Sequence, residues 1–138
     1  MSDFPITIYH NPDCGTSRNV LAMIEAAGYR PDVVEYRKTG WTRPQLDHLL
    51  AAMDVSPRAL LRDKGTPAAE LGLLDPAASD ETVLAAMVAH PILVNRPIVV
   101  TPNGTKLCRP SEEVLSLLDH RPEYFTKEDG EVVRLAAP

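Results

Sequence analysis

A group of residues suited to thiol chemistry lies near the amino terminus, in residues 10–19 (HNPDCGTSRN). The β-branched residues before it predict a short strand, and Asn-Pro followed by Gly predicts a turn that opens a helix. Cys14 is therefore expected at a strand-to-helix turn. There, free N–H groups and the positive end of the helix dipole favour thiolate, the nucleophilic form of cysteine. The same position also suits an inert cysteine packed beneath a loop.

Three arginines stand at predicted junctions between elements rather than on helix faces. Arg62 ends a short helix, Arg96 precedes Pro97, and Arg109 ends a hairpin strand. The guanidinium group is planar and always charged, so it suits an oxyanion. If their loops meet at Cys14, the three would lower the thiol pKa and hold an anionic substrate. Taken singly, each arginine is better explained by an ordinary salt bridge.

Other polar residues near Cys14 each have two interpretations. His10 either lowers the pKa of the thiol as an imidazolium or hydrogen-bonds the loop, and we favour the loop role. Asn11 either donates to substrate or forms the turn. Ser17 either hydrogen-bonds the thiolate or caps the first helix, and capping, by Thr16 or Ser17, is the expectation.

The chain has two cysteines, and their spacing does not fit a Cys-x-x-Cys pair or a zinc site, so no metal is expected. Cys108 should point to the opposite face of its strand from Arg109, which predicts a core residue rather than a second reactive thiol. Arg18, within the first helix, is expected in a surface ion pair. Its spacing from Cys14 does not fit a phosphatase-type Cys-x5-Arg loop.

The elements that must position these residues follow the order strand, helix, strand, several short helices, hairpin, helix. The first helix is expected over about 15–27, ending at Gly28, between strands at 6–9 and 32–36. Such a unit is most simply a right-handed parallel crossover. The strand at 92–101 returns through Asn103-Gly104, which favours a hairpin.

Between these parts, capping patterns at Thr42, Ser56, Thr66 and Ser79 predict short helices, and a last helix is expected after Pro110. The whole order places parallel and antiparallel pairs in one sheet. This is an α/β, thioredoxin-like arrangement with a mixed four-stranded sheet. In such folds the loop before the hairpin carries a cis proline, and Pro97 is placed for it.

Length and charge limit the remaining possibilities. A chain of 138 residues fits a single domain, here with a helical insertion at about 42–90 and a loosely held tail from about 123. A net charge of -5 argues against nucleic acid or an anionic membrane as a partner. The longest apolar run, residues 83–89, is too short to span a bilayer. These features predict a soluble, cytoplasmic protein.

Four segments in register resemble the glutaredoxin-dependent arsenate reductases of the thioredoxin-like superfamily. They are residues 10–19, 58–62 (RALLR), 90–102 (HPILVNRPIVVTP) and 106–112 (KLCRPSE), with a further match at 127–130 (KEDG). The resemblance implies a cytosolic enzyme that reduces arsenate to arsenite, with glutathione as co-substrate, glutaredoxin as partner and no tightly bound cofactor.

The same resemblance implies roles for single residues. Cys14 is the implied catalytic nucleophile, forming a covalent adduct with arsenic, and Arg62, Arg96 and Arg109 are the implied oxyanion-binding residues. Because this route needs only one protein thiol, Ser17 can occupy the place where a dithiol oxidoreductase carries a second cysteine.

The sequence is also compatible with two other functions. One is a thioredoxin-like regulatory or binding module, although Ser17 removes the Cys-x-x-Cys pair that such regulators use to sense oxidation. The other is a monothiol glutaredoxin-like thiol transferase, suggested by residues 14–17 (CGTS). Neither accounts for the three arginines, and neither is expected to turn over arsenate.

Overall fold

The computed structural model describes residues 4–121 and 123–134. They form two compact units, one from the described residues up to Glu35 and from Arg96 onward, the other Tyr36–Asn95. The first unit carries the sheet and Cys14, and the second carries the run of short helices. The prediction of a single domain with an insertion at about 42–90 stays a prediction.

The first unit is built on a four-stranded sheet in the order β2-β1-β3-β4. Strand β1 (Thr7–Tyr9) pairs in parallel with β2 (Asp32–Val34) and antiparallel with β3 (Ile98–Thr101). Strand β4 (Gly104–Leu107) then pairs antiparallel with β3. This confirms the mixed, thioredoxin-like sheet expected from the order of the elements.

Helix α1 (Gly15–Ala26) connects the two parallel strands, as the sequence predicts. Gly28 follows it with φ +96, a left-handed conformation that glycine adopts without steric cost, and this ends the helix where expected. Strand β2 is shorter than predicted, because Tyr36 already begins the next helix.

The core of the first unit lies where α1 and a 3-10 helix, Ser111–Leu117, pack together on one side of the sheet. Ile8 and Val99, paired across β1 and β3, are fully buried there. The sequence predicts an α-helix after Pro110, whereas the observed helix is of the tighter 3-10 type. It keeps the predicted apolar face, because its buried residues include Val114, Leu115 and Leu117.

A second, two-stranded sheet was not anticipated. Strands β5 (Tyr124–Thr126) and β6 (Val132–Arg134) form a hairpin near the carboxyl terminus. Each strand has only three residues, too few for an alternating pattern to be distinctive. The hairpin turn is held to α1 through Glu128, which lies 110 positions after its partner Arg18.

The second unit contains three α-helices, α2, α3 and α4. Their bounds are Tyr36–Thr39, Arg43–Met53 and Asp80–Ala89. Two 3-10 helices, Pro57–Leu60 and Pro91–Leu93, pack against α4. The strand predicted from residue 92 therefore begins later, at Ile98.

Local capping signals explain where α3 and α4 begin. Thr42 and Gln45 form the predicted reciprocal capping box of α3, and the Ser79 side chain caps α4. The prediction of a helix after Thr66 is wrong, because the segment forms turns. The Thr66 hydroxyl bonds the preceding backbone, donating to the carbonyl of Arg62 (2.7 Å), which favours a turn over a helix.

Across the two described ranges, no helix has both the length and the apolar character needed to cross a membrane.

Candidate active site

Cys14 lies at the mouth of α1 as its N-cap residue, with extended backbone angles of φ -104 and ψ 120. Its backbone N–H donates to the carbonyl of Asn11 (3.0 Å), and the Asn11 side chain accepts from the N–H of Asp13 (2.9 Å). These bonds fold residues 11–14 into the predicted turn. The expectation that Thr16 or Ser17 caps the helix is wrong, because the helix begins at Gly15, before both of them.

Sheet register explains how two of the three arginines reach this turn. Tyr9, the last residue of β1, pairs with Ile98, and Ile98 pairs with Leu107. The end of β1, the start of β3 and the end of β4 therefore lie at one edge of the sheet. Arg96 and Arg109, which flank the hairpin, are brought to the same edge as the cysteine turn.

The structure brings the Arg109 guanidinium to the sulfur. Arg109 Nη1 lies 3.6 Å from Cys14 Sγ and also donates to the backbone carbonyl of Arg96 (2.9 Å). Arg96 is buried, with 8% of its surface exposed, and its side chain lowers the pKa of Cys14. The Arg96–Pro97 peptide is cis, as expected, and so is the Arg109–Pro110 peptide.

These contacts act on the ionisation of Cys14. Burial alone raises the pKa of the thiol, since it disfavours the charged form. The Ser17 backbone N–H and the side chains of Arg109 and Arg96 act in the opposite direction and outweigh burial. The pKa of Cys14 therefore lies below its ordinary value, and a larger fraction of the sulfur is thiolate near neutral pH.

His10, Asn11 and Ser17 form a buried hydrogen-bonded group behind the cysteine turn. Ser17 Oγ lies 2.7 Å from His10 Nδ1 and accepts from the backbone N–H of Asn11 (3.1 Å). Burial has the largest effect on His10 and lowers its pKa. The charge of Glu35 raises this pKa, and the charge of Arg18 lowers it further. A neutral imidazole fits the loop-holding role of His10 better than the imidazolium role. Ser17 acts on the sulfur through its backbone, while its hydroxyl bonds the loop.

Arg62 lies in the second unit. Its backbone N–H donates to the carbonyl of Leu93 (2.7 Å), and its Nε donates to the carbonyl of Lys64 (3.4 Å). Its expected approach to Cys14 stays a prediction.

Cys108 and Arg18 are placed as the sequence predicts. Cys108 is fully buried, and burial raises the pKa of its thiol to about 12. Arg18 forms an exposed ion pair with Glu128, with Nη2 2.7 Å from Oε1. Glu128 was missed as a neighbour of the cysteine turn, although it lies within residues 127–130, which carry part of the family resemblance.

Comparisons with known proteins place the chain in one family. The model of the ArsC family matches residues 9–117. An arsenate reductase of Synechocystis sp. is 63% identical over 134 residues, covering 96% of this chain and 93% of that protein. An arsenate reductase of Escherichia coli K12 is 54% identical, covering 93% and 92% of the two chains.

Among solved structures, an arsenate reductase from Vibrio cholerae superposes with a TM-score of 0.80 at 38% identity, covering 85% of this chain and all of that one. The sheet, the cysteine turn and the two arginines beside it are thus found in a chain whose sequence matches one family over most of its length. This protein belongs to the ArsC family.

Proposed function

We propose that this protein reduces arsenate to arsenite, with Cys14 as the nucleophile and with glutathione and glutaredoxin as the reductants. The observation that carries the proposal is the Arg109 guanidinium 3.6 Å from Cys14 Sγ. It supports the proposal because the arrangement combines a thiolate with a donor for the oxygens of the anion that the thiolate attacks. Relatives more than half identical over most of this chain are named arsenate reductase.

The first step is attack by the Cys14 thiolate on arsenic. A bond forms between sulfur and arsenic, an arsenate oxygen leaves as water with two protons, and arsenic remains in the pentavalent state. Arg96 and Arg109 hold the remaining oxygens and neutralise the charge that accumulates on them. Arg62 is proposed as the third oxyanion-binding arginine.

The next steps use thiols from outside the chain. A glutathione thiol displaces a second oxygen as water, so that arsenic carries both sulfurs. A glutaredoxin thiol then attacks the glutathione sulfur and forms a mixed disulfide, and the electron pair of the sulfur–arsenic bond reduces arsenic to the trivalent state. Water finally releases arsenite and restores the Cys14 thiol.

The requirement for external thiols is supported by the state of the second cysteine. Cys108 is fully buried and its pKa is raised to about 12, so it offers almost no thiolate near neutral pH. With Cys108 unsuited to resolve the adduct, a small thiol must do so. We place the protein in the cytoplasm, where glutathione and glutaredoxin keep thiols reduced.

The test is arsenite production from arsenate with glutathione and glutaredoxin supplied. We expect the wild type and Cys108→Ala to produce arsenite, and Cys14→Ser to produce none, because an alcohol is almost never ionised at neutral pH. Serine is a good N-cap, so the Cys14→Ser variant should retain the fold. Omitting either glutathione or glutaredoxin should stop turnover of the wild type.

Turnover by Cys14→Ser would refute the nucleophile. Full turnover without glutathione would refute the proposed order of thiols. Failure of the wild type to produce arsenite in the complete mixture would favour the regulatory module or the thiol transferase instead.

A further inference from the structure

The turn of the carboxyl-terminal hairpin contacts the cysteine turn through one arginine. Arg18 Nη1 donates to the backbone carbonyl of Pro12 (2.7 Å). Its Nε and Nη2 donate to the two carboxylate oxygens of Glu128, at 3.0 and 2.7 Å. One guanidinium thus links the backbone just before Cys14 to Glu128, which lies 110 positions after Arg18 in the chain.

Glu128 is itself fixed against the start of α1. Its backbone N–H donates to the side chain of Asn19 (3.1 Å). A Cβ atom added at Gly15 would lie 3.0 Å from Glu128 Oε1, closer than nine in ten real Cβ contacts. The carboxylate therefore rests directly on the first residue of the helix, and glycine at that position leaves room for it.

A carboxylate at this place has an electrostatic consequence. The mouth of α1 favours negative charge, and both the Glu128 carboxylate and the Cys14 thiolate lie there. Two like charges so placed disfavour each other's ionisation. The hydrogen-bonded Arg18 lowers the pKa of Glu128, and the pKa of Arg18 is raised, first by Glu128 and further by its attraction to Cys14 and Asp13. Arg18 is thus a cation shared between the carboxylate and the sulfur.

We propose that Arg18 and Glu128 act as positioning residues for the Cys14 nucleophile. Arg18 holds the Pro12 carbonyl and supplies positive charge at the mouth of α1, and Glu128 keeps Arg18 in that place. The proposal rests on the proposed function only in taking Cys14 as the nucleophile.

Other charged groups also act at this turn. Arg96 and Arg109 contact the sulfur itself, Asp13 interacts with Arg18, and His10 lies behind the turn with Glu35 acting on it. Changing Arg18 or Glu128 leaves the direct contacts of Arg96 and Arg109 with the sulfur in place. Their effect on Cys14 can therefore be measured separately.

The experiment is the pH dependence of Cys14 alkylation by iodoacetamide in charge-neutralising variants. Arg18→Gln leaves the Glu128 carboxylate uncompensated. The pH midpoint of Cys14 alkylation should therefore rise by about half a pH unit, a size typical of a partly screened charge. Glu128→Gln removes the competing anion, so the midpoint should fall by a similar amount. The double variant should return towards the wild type, and Arg18→Lys should stay near it.

A matched control lies in the second unit, where Arg43 forms a bidentate ion pair with Glu81. Arg43→Gln and Glu81→Gln should leave the midpoint unchanged. Raising the salt to about 1 M should shrink the opposite shifts of the Arg18 and Glu128 variants, because exposed charges are screened.

Shifts of opposite sign in the two single variants support the proposal, since a purely structural clamp would move both in the same direction. Shifts of the same sign, or no shift in either, would overturn it. The assay needs no arsenate, so a failure of arsenate reduction would refute the proposed function without affecting this result.

Discussion

Removing the Arg109 side chain should raise the pKa of Cys14 more than any other single change at the site. Its Nη1 lies 3.6 Å from the sulfur, and it also holds the carbonyl of Arg96. Arg109→Ala removes both interactions and leaves Arg96 as the remaining guanidinium against the thiolate. Arg109→Lys keeps the charge but loses the planar fork of donors, so an intermediate effect is expected.

The size of the effect follows from the distance. Two unit charges 3.6 Å apart interact by about 4–5 kcal/mol at an effective dielectric constant of about 20. Water entering the vacated space and the remaining Arg96 are expected to offset roughly 40–70% of this. We therefore expect the Cys14 thiolate to lose about 1.4–2.8 kcal/mol of stabilisation, which raises the pKa of Cys14 by about one to two units.

The measurement is the rate of iodoacetamide alkylation across pH, with the labelled cysteine identified by mass spectrometry. Cys108 is buried and should stay unlabelled, and Cys108→Ala gives the matched control. Below both midpoints, Arg109→Ala should react about 10–100 times more slowly than the wild type, because the rate follows the thiolate fraction. Well above both midpoints the two rates should converge.

An unchanged midpoint in Arg109→Ala would refute the assignment of Arg109 as a main stabiliser of the thiolate. A lower rate at every pH, with no shift in midpoint, would show that the substitution changed access to the sulfur rather than its ionisation.

Three further outcomes are expected. Arg62→Ala should raise the KM for arsenate while Arg43→Ala in the same unit leaves it unchanged; equal KM values would remove Arg62 from the oxyanion site. Ser17→Ala leaves two buried partners of its hydroxyl unsatisfied, so its free energy of unfolding in urea should fall by about 1–3 kcal/mol. Replacement of the exposed Ser116 by alanine should lower the free energy of unfolding by almost nothing. The pKa of Cys108 is raised in the fold, so above its ordinary value the thiol ionises more readily in the unfolded chain, and stability falls as pH rises. Between about pH 8 and 10, the wild type should therefore lose about 1.4 kcal/mol more free energy of unfolding than Cys108→Ala, and equal losses would contradict the buried thiol.

Features encoded within a few neighbouring residues were predictable from the sequence. The strand-to-helix turn at Cys14, the end of α1 at Gly28 and the capping box at Thr42 each depend on local conformational preferences. The hairpin through Asn103-Gly104 was likewise expected and is observed between β3 and β4. The resemblance to one family placed these elements in a common fold.

Local preference failed where a side chain has several hydrogen-bond partners within reach. The segment after Thr66 has a helix-start pattern but forms turns. The Thr66 hydroxyl accepts from the N–H of Ala68, as a cap would, and also bonds the carbonyls of Arg62 and Asp63. Ser17 has the composition of a cap, yet its hydroxyl bonds His10 and the backbone of Asn11 in the buried loop. Both residues had more than one available partner, and the choice between partners depended on the surrounding structure.

The sequence by itself determined which residue types this protein can use: a lone cysteine at a helix mouth, arginines at element junctions, and a second cysteine in an apolar setting. Only the tertiary structure decided that Arg109 reaches a sulfur 95 positions earlier, and that Glu128 rests on the start of α1. The physical reason is that a thiol pKa depends on charges within a few ångströms. Strand pairing sets the distance for Arg109, and hydrogen bonds with Arg18 and Asn19 set it for Glu128, so proximity along the chain sets neither.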